Sequence, residues 1–353
     1  MKDGFLKAAA LSPALRVADC AYNVQQITEA LRSAAARGVK LAVFPEFCLT
    51  GYTCGDLFLQ EPLLCGAEDG LVQILQETAD LSMLLVIGLP YVCGGALYNC
   101  AAVCYAGKIL GMVPKQNLPN YSEFYEVRHF TAGPDAEAVP QQQSLHHHTG
   151  YTFPFGAKLL FSCAEMPDFT FGVEICEDVW VGDTPSVAMA KAGATLIVNL
   201  SCSDEIIGKE DYRRTILKAK SGSLLCAYAY ADAGFGESTQ DMVFAGHDLI
   251  LENGSVLAES GATVYEFYQI ADFRGGSASS GMGHGVFPFS QYFVQNIEVP
   301  LTLNAGANEQ VYSGVYAMST TYTTAINFIG DTGMFKVESG SFTKDYDEKA
   351  DRL

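Results

Sequence analysis

The 353-residue sequence is short of basic residues, with 21 Lys plus Arg against 40 Asp plus Glu and a formal net charge of -19. Because a field of that sign repels phosphate groups, the balance argues against binding to nucleic acid or to anionic membranes. The sequence also contains no apolar run of membrane-spanning length, and its N-terminus shows no convincing secretory signal. We therefore expect a cytoplasmic chain that its negative charge keeps in solution.

Paired cysteine motifs are missing as well. All eleven cysteines lie between Cys20 and Cys226, and none belongs to a CxxC pair. This usage is typical of free thiols that pack as small hydrophobes in a reducing compartment. Three adjacent histidines end the segment QQQSLHHH, residues 141–148, but successive side chains diverge. We therefore expect a polar surface loop there, and the sequence predicts no metal site.

Helices and strands alternate along most of the chain. Apolar residues recur at helical spacing after Asp19, a candidate N-cap, and Gly38 ends that pattern just before the strand KLAVF. A second helix is expected from a cap at Asp183 or Thr184 to Gly193, followed by the strand ATLIVNLS. This order predicts a layered α/β or α+β domain.

Turn signals add hairpins and a domain boundary. Ala106-Gly107 and Asn253-Gly254 each separate two strand-like runs. We expect the main domain to span residues 1–273 and a Gly/Ser-rich linker to follow at 274–286. The remainder, 287–353, is rich in Thr, Tyr, Val and Ile and is predicted to be a small β-rich tail of unknown role.

Cys176 is the first candidate for chemistry. In FGVEICEDVW the apolar residues alternate up to Ile175, which predicts a strand with one buried face that ends at the cysteine. A strand-to-helix turn exposes a nucleophile and aims backbone N–H groups at the space beside it. A free cysteine is more often a buried packing residue. Acids on both sides of Cys176 favour the catalytic interpretation, because such a sequence is unusual in a core.

Two further residues complete a possible active site. Glu46 follows the strand KLAVF, and Lys115 follows the strand that ends in GMVP. Either residue alone is typical of a solvated loop. Three loops that follow apolar strands can nevertheless meet at one rim of a sheet. A carboxylate can take the proton of the Cys176 thiol, and a lysine cation can stabilise an oxyanion. The three residues therefore predict cleavage of a carbon–nitrogen bond through a thioester.

Three segments, FPEFCLTGY, PKQNLPNYSEFYE and GVEICEDVW, resemble in order and separation the signature segments of the nitrilase (carbon–nitrogen hydrolase) superfamily. Within it the sequence is most similar to the glutaminase domains of glutamine-dependent NAD+ synthetases. TGYTCGDLF, LYNCAAVCYAGKILG, NLSCSDEIIGKEDYRR and CAYAYADAGFGESTQDMVFAGHDLI support the likeness. The resemblance covers about residues 1–273. It implies a nitrilase-like αββα sandwich that forms homo-oligomers.

The resemblance also implies roles for individual residues. It makes Glu46 the general base, Lys115 the oxyanion stabiliser and Cys176 the nucleophile, with Glu123 as a second glutamate beside the lysine loop. The substrate would be glutamine, contacted by three further residues: Tyr121, Ser203 and Lys209. Some relatives carry Arg at the last of these positions, and a lysine lacks the fork with which arginine grips a carboxylate.

One departure from these relatives bears on partners and cofactors. After Phe273 the sequence shows no SGGxDS-type pyrophosphate loop of the ATP-using synthetase domain. The resemblance implies no cofactor for glutamine hydrolysis, while ATP and deamido-NAD would belong to the absent domain or to a separate synthetase that consumes the ammonia. Two alternatives stay open. The first is a stand-alone amidase that acts on another small amide, and the second is a catalytically idle scaffold with an interaction tail.

Overall fold

The computed structural model describes most of the first 260 residues and the backbone of three later strands: 5–134, 141–206, 208–239, 242–260, 267–274, 292–298 and 315–318. Two β-sheets form its centre. The first sheet runs in the order β16-β15-β14-β1-β2-β3-β4-β5-β7-β6. Its strands are β1 (Phe5–Ser12), β2 (Leu41–Val43), β3 (Leu84–Cys93), β4 (Ala96–Tyr105), β5 (Lys108–Pro114), β6 (Gln141–Ser144), β7 (Thr152–Phe155), β14 (Phe267–Arg274), β15 (Tyr292–Glu298) and β16 (Val315–Met318).

The second sheet has the order β13-β12-β11-β10-β9-β8 among the described residues. Its centre is parallel, because β10 pairs in parallel with both β9 and β11. The carboxyl ends of these parallel strands therefore point to the same edge of the sheet. The strands are β8 (Leu160–Cys163), β9 (Met166–Ile175), β10 (Leu196–Ser201), β11 (Ala227–Asp232), β12 (Leu249–Glu252) and β13 (Ser255–Glu259).

Helices cover the outer faces of both sheets. On the first sheet, Leu31 and Leu71 belong to one buried cluster with strand residues such as Ile87. On the second, Met189 and Leu217 pack with strand residues of that sheet. Among the residues that the structure describes, the α-helices are α1 (Cys20–Ala36), α2 (Glu61–Glu77), α3 (Pro185–Lys191) and α4 (Lys209–Leu224).

The inner faces of the sheets pack against each other. Val43 and Val86 from the first sheet share a buried cluster with Val173 and Val198 from the second. Burial of such alternating apolar faces is the main driving force for a layered fold. The layers are therefore helix, sheet, sheet and helix, which confirms the predicted nitrilase-like αββα sandwich.

Local signals in the sequence explain several element boundaries. The Asp19 side chain accepts a hydrogen bond from the Tyr22 N–H at 3.1 Å, and so caps α1 as expected. Pro185 is the first residue of α3. Asn253 and Gly254 both have positive φ, 50° and 79°, which suits the tight hairpin between β12 and β13.

The expected loop over QQQSLHHH is wrong in its first half. Gln141–Ser144 form β6, an edge strand that pairs antiparallel with β7. Because ladder hydrogen bonds come from the backbone, a polar edge strand can form without an apolar pattern. The predicted linker, 274–286, lies almost entirely outside the described residues. Of the predicted tail only β15 and β16 are described, and both extend the first sheet.

Within the part of the chain that the structure describes, no helix combines the length and the apolar character needed to cross a bilayer.

Candidate active site

The three predicted catalytic residues follow strands of two different sheets. Glu46 lies after β2 and Lys115 directly after β5, both in the first sheet. Cys176 lies directly after β9 in the second sheet. The expectation of one rim of a single sheet is therefore wrong, because the loops meet between the two facing sheets. All three side chains are buried, with exposed fractions of 0% for Glu46 and Lys115 and 4% for Cys176.

Lys115 lies at the centre of a buried charged cluster. Its Nζ donates to Glu46 Oε1 and to Glu126 Oε1, at 2.7 Å in each case. Burial alone would lower the pKa of Lys115, but Glu126 and Glu46 together raise it well above its usual value. Lys115 is therefore held as a cation. Asn99 Nδ2 also donates to Glu46 Oε1, and Tyr52 donates its hydroxyl proton to Glu126 Oε1 at 2.9 Å.

The second glutamate beside the lysine is Glu126, which corrects the expectation for Glu123. Glu126 is 4% exposed, and burial, partly offset by Lys115, raises its pKa to about 7. Glu123 is half-buried and lines a neighbouring cavity of about 260 Å³. Both lie in the segment YSEFYEVR, and the short 3₁₀ turn over Glu126–Arg128 points the later glutamate inward. Because the two glutamates are only three residues apart, the sequence alone could not show which of them lies beside Lys115.

Cys176 occupies a strained turn between β9 and the 3₁₀ segment Cys176–Val179. Its φ is +43°, a left-handed conformation that is uncommon for a residue with a Cβ and is often found at functional sites. Burial and the nearby Glu46 raise the pKa of its thiol well above the usual value, while Lys115 lowers it. The sulfur therefore stays protonated near neutral pH and needs a base when it reacts.

Asp178 ties the cysteine turn to the lysine loop. Its carboxylate accepts hydrogen bonds from the Ile175 N–H at 3.0 Å and from the Asn117 N–H and Nδ2 at 2.8 Å each. The side chain is 1% exposed. Because its two oxygens bond to backbone on both sides of the site, Asp178 sets the separation between Lys115 and Cys176.

Two further contacts position Glu46. The Cys202 N–H donates to Glu46 Oε2 at 2.9 Å and also lowers the pKa of Cys176, so it lies between the Glu46 carboxylate and the thiol. On the other side, Gly88 of β3 lets the Glu46 loop approach closely. A Cβ there would lie 2.5 Å from Phe47 N and 2.9 Å from Glu46 Cα, which is closer than van der Waals contact permits.

Cys176 opens into a cavity of about 280 Å³. The predicted glutamine contacts Tyr121, Ser203 and Lys209 all line it, and so does Glu177, which the sequence analysis did not single out. Tyr121 donates its hydroxyl proton to Glu177 Oε2 at 3.0 Å. Phe124, Trp180 and Tyr212 contribute aromatic walls.

The cation of this cavity is partly neutralised. Lys209 Nζ forms an ion pair with Asp204 and lies 5.9 Å from the ring centre of Phe124 and 6.0 Å from that of Trp180. The backbone of Ser203 is fixed by a hydrogen bond, which its N–H donates to Asp232 Oδ1 at 2.8 Å. The cavity therefore offers an anionic group, Glu177, and a cationic group, Lys209, on the approach to the thiol.

Glu126, Glu177, Asp178 and Asn99 are site residues that the sequence analysis missed. Glu177 and Asp178 directly follow Cys176, and the unusual run Glu-Ile-Cys-Glu-Asp was the signal in the sequence that could have found them. Asn99 lies inside β4, more than fifty residues from Glu46 along the chain, and no local pattern marks it.

A sequence model of the family described as carbon-nitrogen hydrolase matches residues 7–261. Among curated proteins, the glutamine-dependent NAD(+) synthetase of Mycobacterium tuberculosis is 42% identical over 257 residues, which cover 73% of this chain and 37% of that protein. The synthetase of Aquifex aeolicus is 31% identical over 67% of this chain and 36% of its own length. The chain thus spans little more than a third of the length of these relatives.

Solved structures agree on the fold. The glutamine-dependent NAD+ synthetase of Acinetobacter baumannii has a TM-score of 0.63 and 24% identity, over 76% of this chain and 45% of that chain. An amidase of the nitrilase superfamily from Nesterenkonia AN1 has a TM-score of 0.60 and 20% identity, over 79% and 95%. With the ordered match of the sequence model, the conclusion is that this chain belongs to the carbon-nitrogen hydrolase family.

Proposed function

We propose that the protein hydrolyses glutamine to glutamate and ammonia through a thioester on Cys176. The observation that carries this proposal is the fully buried Glu46–Lys115 ion pair beside a protonated thiol at the end of a polar cavity. The curated relatives that the chain matches are named as glutamine-dependent enzymes, which favours glutamine as the amide.

Formation of the thioester needs a base and an oxyanion site. Glu46 takes the proton from Cys176 as the sulfur attacks the amide carbon, which gives a tetrahedral intermediate. The Lys115 cation stabilises the negative oxygen of this intermediate, in a site where exclusion of water strengthens the interaction. The intermediate collapses when Glu46 returns the proton to the leaving nitrogen. Ammonia leaves, and a γ-glutamyl thioester remains on Cys176.

Hydrolysis of the thioester uses the same groups in the same order. Glu46 takes a proton from a water molecule, whose oxygen attacks the thioester carbon. Lys115 again stabilises the oxyanion, and the sulfur leaves with the proton from Glu46 to restore the thiol. All the groups that this cycle requires are side chains of the protein, so the proposal invokes no cofactor for it.

The cavity provides partners for both charged groups of the amino acid. We assign the α-ammonium group to Glu177 and the α-carboxylate to Lys209, with Ser203 and Tyr121 as hydrogen-bonding neighbours. Lys209 must then share its charge between Asp204 and the substrate. Opposite charges at fixed positions favour glutamine over simple aliphatic amides, because only an amino acid carries groups that can bind to both.

The relatives are named as NAD(+) synthetases, and transfer of the ammonia to a synthetase reaction is part of this proposal. ATP and deamido-NAD would take part in that second reaction. Assembly into homo-oligomers and a cytoplasmic location stay predictions from the sequence.

The test measures glutamate and ammonia release from glutamine, from glutaramate, which lacks the α-amino group, and from acetamide. We expect turnover with glutamine, which Cys176→Ala abolishes. The matched control is Cys163→Ala, which removes a half-buried thiol on β8 and should leave turnover unchanged. Added hydroxylamine should divert the thioester to γ-glutamyl hydroxamate in the wild type and in Cys163→Ala, but not in Cys176→Ala.

Each other outcome rejects the proposal in a defined way. Equal or faster release from acetamide would identify a stand-alone amidase. Turnover that survives in Cys176→Ala would exclude the thioester. No release from any amide, together with no alkylation of Cys176 by iodoacetamide, would identify an idle scaffold.

A further inference from the structure

The three adjacent histidines dock on helix α2, on the far side of the first sheet from the sheet–sheet interface. His146 Nδ1 lies 2.7 Å from Glu68 Oε1, and His148 Nε2 lies 2.7 Å from Asp69 Oδ1. The side chain of the middle residue, His147, points to Cys65, a third residue of the helix. The side chains diverge, as the sequence predicts, and each one meets a different residue of α2.

His147 meets a cysteine. Its Nε2 lies 3.1 Å from Cys65 Sγ, and Glu61 stands one helical turn before Cys65 on the same face of α2. One ligand atom from each of the three residues lies within 4.8 Å of the other two. In a tetrahedral zinc site, Zn–S and Zn–N bonds of about 2.3 and 2.05 Å put sulfur and nitrogen about 3.6 Å apart. Small rotations of the exposed His147 and the partly exposed Cys65 side chains supply the difference.

The loop that carries His147 is fixed by a buried acid. Glu68 is 4% exposed, and its Oε2 accepts the His146 N–H at 2.9 Å and the His147 N–H at 3.4 Å. The His146 ring, held by the same carboxylate, packs against Tyr91 with ring centres 5.5 Å apart. Leu145 anchors the loop in the core behind them. The position of His147 over Cys65 is therefore built into the fold.

From this arrangement we propose that Glu61, Cys65 and His147 bind a zinc ion. Thiolate, imidazole and carboxylate are the three ligand types that zinc takes in proteins, and three of them leave a fourth position open for water. The acids Glu61, Glu68 and Asp69 surround the site with negative charge, which favours a cation there. Binding releases the thiol proton of Cys65. The ion clamps the loop after β6 to the first turns of α2.

The test titrates zinc into chelator-treated, dialysed protein against a chromophoric chelator. We expect one zinc per chain in the wild type. Cys65→Ser and His147→Ala should each weaken binding by more than the 10- to 100-fold typical of a lost outer-shell partner, because each removes a ligand. Glu68→Gln should fall within that 10- to 100-fold range. Cobalt in place of zinc should give a thiolate charge-transfer band that Cys65→Ser abolishes.

Matched controls separate this site from a patch of surface histidines. His148→Ala removes the neighbouring imidazole and should leave zinc affinity unchanged. Zinc should also slow the alkylation of Cys65 by iodoacetamide without affecting the partly buried thiols Cys20 and Cys163, as peptide mapping would show. Equal loss of binding in His148→Ala and His147→Ala, unchanged binding in Cys65→Ser, or no stoichiometric zinc in the wild type would each overturn the proposal.

Discussion

The two sheets contribute different chemistry to the candidate active site. Loops of the first sheet supply charge: Glu46, Lys115 and Glu126 form a cluster whose members are at most 4% exposed. Loops of the second sheet supply a neutral nucleophile, Cys176, and most of the cavity that leads to it. In the proposed reaction, the loops of the first sheet form the half of the site that transfers the proton, and the loops of the second sheet form the half that presents the sulfur and binds the substrate.

This division shows why the sandwich matters for reactivity. A thiol whose pKa lies well above its usual value is a poor nucleophile until a base approaches it. The proposed base, Glu46, belongs to the opposite sheet, so the proposed reaction depends on the relative position of the sheets. Bonds across the interface maintain that position, notably those of Asp178 to Asn117 and of Cys202 to Glu46.

Loss of the base should have the largest effect on catalysis. Glu46→Gln keeps the shape of the side chain but cannot accept the thiol proton, so we expect kcat for glutamine to fall by about 10²- to 10⁴-fold. Steady-state kinetics measure the fall in kcat, and the rate of thioester trapping by hydroxylamine measures the fall in thioester formation. If Glu46→Gln retained more than a tenth of wild-type kcat, the reaction of the Cys176 thiol would not depend on the Glu46 carboxylate of the opposite sheet.

Loss of the hydrogen bonds that connect the two halves through Asp178 should have the next largest effect, on the stability of the fold. Asp178→Ala leaves the Ile175 N–H and both Asn117 donors without their acceptor, at about 1–3 kcal/mol for each unsatisfied group. We expect the free energy of unfolding to fall by about 4 kcal/mol, measured by urea denaturation. Asp168→Ala, an exposed acid on β9, is the control. Equal stability of the two variants would rule out Asp178 as the connection.

The assignment of the second glutamate can be tested by a pair of variants. Glu126→Gln removes one of the two carboxylates that hold Lys115, and a displaced lysine should lower kcat by up to about 100-fold with little change in KM. Glu123→Gln should leave both constants near wild type. The reverse pattern would restore the expectation drawn from the sequence.

A smaller effect concerns a buried acid of the second sheet. Glu174 accepts hydrogen bonds from the Tyr228 hydroxyl and from the Ser186 N–H. Burial raises the pKa of its carboxyl group from 4.5 to about 7. The folded state then binds this proton more tightly than the unfolded state. The resulting stability is complete below pH 4.5 and is lost as the pH rises through 7.

From pH 5.5 to pH 7 the wild type should therefore lose roughly 2 kcal/mol from this group. Glu174→Gln mimics the protonated acid and should lack that part of the slope, whereas Glu165→Gln, an exposed control, should keep it. Urea denaturation at the two pH values measures the difference. Equal slopes in Glu174→Gln and the wild type would contradict the assignment.

Much of the fold could be predicted because its signals are local. Asp19, Pro185 and Asn253-Gly254 mark element ends through backbone geometry and capping, which depend on a few neighbouring residues. The strand β6 could not be predicted in this way. Its residues are Gln and Ser, and only the backbone of β7 beside them makes them a strand.

The candidate site divides in the same manner. Glu46, Lys115 and Cys176 could be proposed because each lies shortly after an apolar strand, and strand ends are visible in the sequence. Asn99, Glu126 and Asp178 could not, because their importance comes from contacts that a strand pattern does not encode. The pairing of Cys65 with His147 is of the same kind, since 82 residues separate them along the chain.

By itself, then, the sequence determined the layered fold, the carbon–nitrogen hydrolase signature segments and the three residues that form the centre of the proposed chemistry. Only the tertiary structure decided that the residues meet between two sheets, that Glu126 rather than Glu123 holds Lys115, and that one histidine of three meets a cysteine. The physical reason is that apolar periodicity and turn chemistry act over a few residues. The partners of a buried charge are instead chosen by the packing of whole layers.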